Sequence, residues 1–216
     1  RLCRDWSSDV CSSDLGSGIS RIWRGGDNLF CLRTSSDEEW SGLSIEQAFT
    51  RASEFARGGK LVIQQALNLL PIGQSLSDLR LMMGKDKNNQ WQVLQWYIRT
   101  GRPGSFVTNW HQGGNYVDVI PGLLSAGVQP EVASQLFAQA KRAAVHVAVA
   151  LEKCHAGHMV ELGLDFAFDI DQRLWLLEAN GWPDKGHVEH DHDVVPRVYS
   201  CVIDYAIFLW GAAINE

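Results

Sequence analysis

An α+β fold is predicted by three observations along the 216-residue chain. Extended segments come mostly in pairs joined by short polar or glycine-led turns, the pattern of antiparallel hairpins. Helical stretches fall between these pairs instead of alternating with single strands, which argues against a βαβ dinucleotide fold. Neither GxGxxG nor GxxxxGK[ST] occurs in the sequence, in keeping with that reading.

The opening is set aside. The chain starts with Arg1, not Met, and Ser7-Ser8-Asp9 recurs as Ser12-Ser13-Asp14 without the apolar spacing of a helix or strand. Residues 1–15 are expected to be an artefactual or disordered leader, resembling translated sequencing-adaptor read-through joined to a truncated gene.

From Gly16 onward each element has its own reason. Gly16-Ser17-Gly18 is a flexible turn, and Ile19–Arg24 with Asn28–Arg33 flank Gly25-Gly26-Asp27 as a hairpin. Ser44 and Gln47 have the capping-box spacing, and Ile45, Ala48, Phe49, Ala52 and Phe55 recur at helical period up to Gly58-Gly59. Leu61–Leu67 reads as a strand. Leu79–Lys85 and Trp91–Arg99 flank the polar turn Asp86-Lys87-Asn88-Asn89 as a second hairpin. Residues 101–114 form a loop rich in Gly, Asn and His. Pro130 and Glu131 open a long helix with Ala133, Phe137, Ala140, Ala144, Val147 and Leu151 on one stripe, ending near Gly157. Val160–Ile170 and Arg173–Ala179 make a third hairpin, and a last helix runs from about Pro196 to Gly211.

The third hairpin carries the strongest chemistry. With its reversal at Asp171-Gln172, Asp165 falls opposite Glu178, and one face collects Asp165, Asp169, Glu178 and Asn180. Leu164, Phe166, Phe168, Ile170, Trp175, Leu177 and Ala179 make the other face, expected to be the core side. Like charges opposed across a sheet cost about 0.2–1 kcal/mol unless a cation or proton sits between them. A metal ion accounts for the pattern economically, and two carboxylates with an amide oxygen suit Mg²⁺ better than zinc. The alternative is a solvent-facing acidic hairpin.

Composition narrows the function. Nineteen basic against twenty-five acidic residues leave a net charge of −6 with no basic run, which argues against nucleic acid or an anionic membrane held by general electrostatics. The apolar stretch Val202–Ile214 falls short of the roughly 20 residues that span a bilayer and contains Asp204. Five cysteines without CxxC suggest neither a disulfide framework nor a zinc site. A reducing cytoplasm is the expected compartment.

The run Asp165 to Pro183, with Glu178-Ala179-Asn180 near its end, resembles the magnesium-binding end of ATP-grasp ligases. Asp78-Leu79-Arg80, Arg99, Gly101, Pro103-Gly104-Ser105 and Thr108-Asn109-Trp110-His111-Gln112-Gly113-Gly114 resemble the central segment of that superfamily, the likeness being nearest to its endospore coat-associated, YheC/YheD-like branch. The resemblance implies a partial ATP-grasp fold in which two α+β subdomains with antiparallel sheets grip ATP between them. It divides the chain into residues 16–67, a partial N-terminal subdomain with its hinge strand, and 68–216, a C-terminal subdomain with the magnesium-binding hairpin. By the same resemblance Asp165, Glu178 and Asn180 hold Mg²⁺, and Arg80 and Arg99 neutralise phosphate oxygens as the catalytic pair. Gly16 and Gly18 end the phosphate-covering loop. Gln65, Ala66 and Leu67 read the adenine edge, and Asn109 and His111 lie near phosphate or acceptor. Asp184 stands where the family usually has Gly after the proline, and the leader offers no Lys for the strand before the glycine loop.

The implied activity is ATP- and Mg²⁺-dependent ligation of an unidentified carboxylate to an unidentified amine through an acyl phosphate. Two other classes stand beside it. One is a non-catalytic nucleotide-binding or spore-coat interaction module. The other is a metallohydrolase built on His187, Glu189, His190, Asp191, His192 and Asp193. Cys154, His155 and His158 read as a structural helix terminus, and Trp91, Trp96 and Trp175 as packing residues on strands.

Overall fold

The structure, a computed structural model, describes residues 7–11, 18–56, 62–108, 114–183 and 194–214, with side chains described from 18 onward in these ranges except at 194–196. It contains the expected α+β mixture. Contacts group the chain into two compact units, one of Arg1–Ser77 with Arg99–Asn115 and one of Asp78–Ile98 with Tyr116–Glu216.

The first unit holds strands β1 (Ser7–Cys11), β2 (Ser20–Arg24), β3 (Phe30–Thr34), β4 (Glu39–Leu43) and β5 (Val62–Gln65), in the sheet order β4-β3-β2-β1-β5. Helix α1 (Ile45–Phe55) packs on β2, β3 and β4. Alternation on β2 and β3 buries Ile22 and Leu32 against Ala48 and Ala52, whose small side chains let the helix approach the sheet closely, and Leu43 joins that core. Ser44 caps the helix as its sequence predicts: the Gln47 N–H donates to the Ser44 hydroxyl at 3.3 Å, and the Ser44 N–H donates to the Gln47 side chain at 2.8 Å.

Three features here differ from the sequence reading. Ser7–Cys11, expected to lie outside the fold, forms β1 and pairs antiparallel with both β2 and β5. Backbone ladders on both sides define this strand, so its polar sequence gave no periodic signal. Strand β4 was also illegible, because Gly42 at φ +70° and a bulge opposite Phe30–Leu32 break its alternation. In the second unit, α2 (Val119–Ser125) was not foreseen; it contains Pro121 and Gly122, and proline is tolerated in a helix's first turn.

The second sheet has the order β10-β9-β6-β7-β8, from β6 (Ser77–Lys85), β7 (Trp91–Thr100), β8 (Asn115–Val117), β9 (Glu161–Phe168) and β10 (Leu174–Asn180). Every residue of β6 is buried, and so is β9 from Leu162 on, as befits interior strands covered on both faces. Helix α3 (Pro130–Cys154) buries Ala133, Leu136, Ala140, Ala144 and Ala148. That stripe is shifted from the expected one. Val147 and Leu151 are half-buried, and alanines supply the contact face.

One buried cation was missed entirely. Lys85 is 1% exposed, which for lysine demands a partner. Its ammonium pairs with Glu152, donates to Asn89 Oδ1 at 2.6 Å, and lies 4.6 Å from the ring centroid of Tyr205 and 5.4 Å from that of Trp91. The Trp91 indole N–H completes the cluster by donating to Glu152 at 2.9 Å.

The last helix, α4 (Val194–Ile214), is longer than expected at both ends. Over Arg197–Ile214 its mean hydropathy is 1.3, so by length and composition alone it is long and apolar enough to cross a membrane, unlike the shorter stretch read from sequence.

Candidate active site

The site grows out of strand register. β6 pairs with β9 so that Arg80 lies opposite Asp165, and β9 pairs with β10 so that Asp165 lies opposite Glu178. Residues opposed across a ladder share a face, so three strands carry one row of Arg80, Asp165 and Glu178. Two residues along, Gly163 faces Asn180 in the next row of the same face. The expected register at Asp165 and Glu178 is the one observed.

It does not hold along the whole hairpin. A bulge between Leu176 and Glu178 inserts one extra residue in β10. On the turn side of the bulge Trp175 opposes Ala167, which places it on the face of Asp165 and Asp169, not the apolar face expected for it. Its indole N–H donates to Asp169 Oδ2 at 2.9 Å. The backbone N–H groups of Asp171 and Arg173 donate to Asp169 Oδ1 at 3.0 and 2.8 Å. Burial pushes this carboxyl up, but these donors outweigh it and hold the group below the usual aspartate range. Asp169, grouped with the acid cluster by spacing, is therefore a clamp for the turn. Of the expected core face, Ile170 in the turn and Trp175 and Ala179 on β10, the edge strand of the sheet, are exposed, and Leu177 is half-buried.

The electrostatics of the row also differ from the expectation. Arg80 and Asp165 are both buried and form an ion pair: Nε lies 2.5 Å from Oδ1, off line for a hydrogen bond, and a terminal nitrogen donates to Oδ2 at 3.1 Å. Arginine thus supplies the cation whose need was inferred from the facing acids. Glu178 is exposed on the other flank of Asp165, and Asn180 is half-buried.

Gly163 makes this fork possible and was not singled out from sequence. A Cβ at that position would lie 2.5 Å from an Arg80 terminal nitrogen and 2.7 Å from the Pro183 side chain. The guanidinium occupies the space a side chain would fill. The available signal was a lone glycine two residues before Asp165 and in register with Asn180.

The donor chemistry of this face fits Mg²⁺: two carboxylates and an amide provide hard oxygens, and a carboxylate held by one arginine keeps lone pairs for further partners. Among the described residues no three His, Cys, Asp or Glu side chains are grouped to hold a metal, so the amide of Asn180 is needed to complete a set of three.

The remaining expected residues lie on other elements. Gly18 is buried with φ +82°, the left-handed conformation a turn glycine allows. Gln65 ends the exposed strand β5, and Ala66 and Leu67 follow it half-buried. Arg99 lies on β7, half-buried. Gly16, Asn109, His111 and the segment His187 to Asp193 lie outside the described residues. His158 Nδ1 is 3.0 Å from the Tyr205 hydroxyl, the structural role expected of that helix end.

The sheet architecture and the sequence agree on a class. The chain matches the family described as YheC/D like ATP-grasp over residues 10–209, and it belongs to that family. It is similar to the endospore coat-associated protein YheD of Bacillus subtilis (strain 168), with 25% identity over 207 residues covering 94% of this chain. The chain spans 45% of that relative's length.

Proposed function

We propose that this chain is the ATP- and Mg²⁺-binding core of a carboxylate–amine ligase. The observation that supports the reading is the single-faced row Arg80, Asp165 and Glu178, with Asn180 beside it, in a member of an ATP-grasp family. Asp165, Glu178 and Asn180 would hold Mg²⁺, which when bound supplies charge neutralisation for phosphate oxygens.

The protein's own residues do the rest. Arg80 orients Asp165, and its remaining N–H is the donor proposed for a phosphate oxygen, with Arg99 as a second cation. Gln65 and the backbone of Ala66 and Leu67 are proposed to read the adenine edge, Gly16 and Gly18 to shape the phosphate-covering turn, and Asn109 and His111 to lie near phosphate or acceptor. In the reaction a substrate carboxylate oxygen attacks the γ-phosphorus and the bond to ADP breaks. The amine then attacks the acyl carbon, phosphate leaves with the bonding electrons, and the amine proton passes to solvent or base. Positioning and charge compensation account for such catalysis without a protein nucleophile.

A second reading is a nucleotide-binding module without turnover. It draws support from Arg80, whose fork is already engaged by Asp165. The cytoplasm is the proposed working compartment, with coat association suggested by the name of the relative.

Calorimetric titration of ATP, with and without Mg²⁺, into wild type and Glu178→Gln tests the site. Mg²⁺ should tighten ATP binding in wild type and fail to do so in the variant. Equal affinities in all four titrations would remove it. ADP release then separates ligase from binding module.

A further inference from the structure

Helix α4 has two faces of opposite fate. Val198, Cys201 and Tyr205 are buried against the second unit, which fixes the rotation of the helix. On the other side Ile203, Ile207, Trp210 and Ile214 are 62, 60, 71 and 67% exposed. Their spacing of four, three and four residues is the seam of a two-heptad helix pair, and Val202 at 42% exposure widens it.

We propose that this face is the contact between two copies of the chain, packed α4 against α4, antiparallel, about a two-fold axis. Three observations choose that occupant. An antiparallel two-fold midway along the seam sets Trp210 of each copy on Ile207 of the other and Ile203 on Ile214, so the four seam residues satisfy one another. The same operation sets Ala206 opposite Gly211, and a Cβ on Gly211 would meet nothing within 4 Å, so the backbones have room to approach. Seam and flank expose on the order of 600 Å² per copy, and the pair therefore reaches the roughly 1,200 Å² at which stable interfaces begin.

Charge excludes the competing occupant. An anionic bilayer binds helices edged with Lys and Arg, whereas α4 between Arg197 and Ile214 carries one cation and one anion, Arg197 and Asp204, on a chain of net charge −6. A self-complementary apolar face needs neither sign. This association is independent of the nucleotide reading and requires no residue of that site.

Sedimentation equilibrium of the full 216-residue chain across a dilution series tests it. Wild type should approach twice 24.1 kDa and fall toward 24.1 kDa on dilution. Ile207→Glu should weaken association by roughly a hundredfold or more, the scale of an interface hot spot, with unchanged circular dichroism, while Ile207→Leu keeps it. Ile63→Glu, on the exposed edge strand β5, should leave it intact. A monomeric wild type at every concentration, a dimer indifferent to Ile207→Glu, or a dimer broken by Ile63→Glu would each overturn the proposal. So would a monomer that sediments with phosphatidylcholine–phosphatidylglycerol vesicles.

Discussion

Arg80 and Asp165 are 85 residues apart in the chain and form a buried ion pair across neighbouring strands, with one hydrogen bond between them. The pair joins the second hairpin to the third at the position where Glu178 enters the same row. Any cation or phosphate that binds this face meets an ion pair already formed.

Removing one partner strands the other. Arg80→Met should cost about 3–5 kcal/mol, the scale for leaving a buried charge uncompensated. Arg80→Met combined with Asp165→Leu should recover most of that, since both charges are gone. Urea denaturation of the wild type, both single variants and the double variant gives the comparison. A double variant as unstable as the singles would show that the pair is not where the energy lies.

Gly163→Ala should destabilise by about 1–3 kcal/mol, as overpacking of a filled site does. The new methyl would displace either the Arg80 guanidinium or Pro183. Thermal unfolding reads the loss, and weakened Mg²⁺-dependent ATP binding in the same variant would connect it to the fork.

Glu178 and Asp165 face each other, yet their substitution should diverge. Glu178→Gln changes an exposed edge-strand side chain and should alter stability by no more than about 0.5 kcal/mol. Asp165→Asn should cost several times as much, because it leaves Arg80 buried without its counter-ion. Chemical denaturation of the two neutral variants measures the contrast.

Acid should weaken the Lys85 cluster. Burial pushes the Glu152 carboxyl up, but the Lys85 and Trp91 hydrogen bonds and the Lys85 charge outweigh it, so its folded pKa lies below the ordinary glutamate value. The unfolded chain then takes up the proton first as pH falls. The stabilisation is complete above the unfolded pKa of about 4.3 and is lost between there and the lower folded value. Glu152→Gln should flatten the stability profile in that window; an unchanged slope would reassign the acid sensitivity to other carboxylates.

What the sequence shows depends on how local the determinant is. Hairpins, the Ser44–Gln47 cap and the α3 helix rest on nearest-neighbour spacing and were legible at once. The opposition of Asp165 and Glu178 was legible because the turn at Asp171-Gln172 counts residues to both. Arg80 could be placed on its strand but not beside Asp165, since strand order across 85 residues leaves no periodic trace. Lys85 was hidden for a similar reason: its partners come from a turn, a neighbouring strand and two helices. Trp175 was assigned to the wrong face because a bulge changes parity without any marker residue at Leu177.

That extra residue has a consequence for variation in length. The turn half of the third hairpin is fixed by the Asp169 clamp, and the acid half by the lateral grip of Arg80 on Asp165, with the bulge separating the two ladders. Each half has its own anchor. A residue gained or lost between Leu174 and Leu177 can therefore be absorbed at the discontinuity, while Glu178 keeps its place opposite Asp165. Chains with hairpins of different lengths could in this way retain the same acid row.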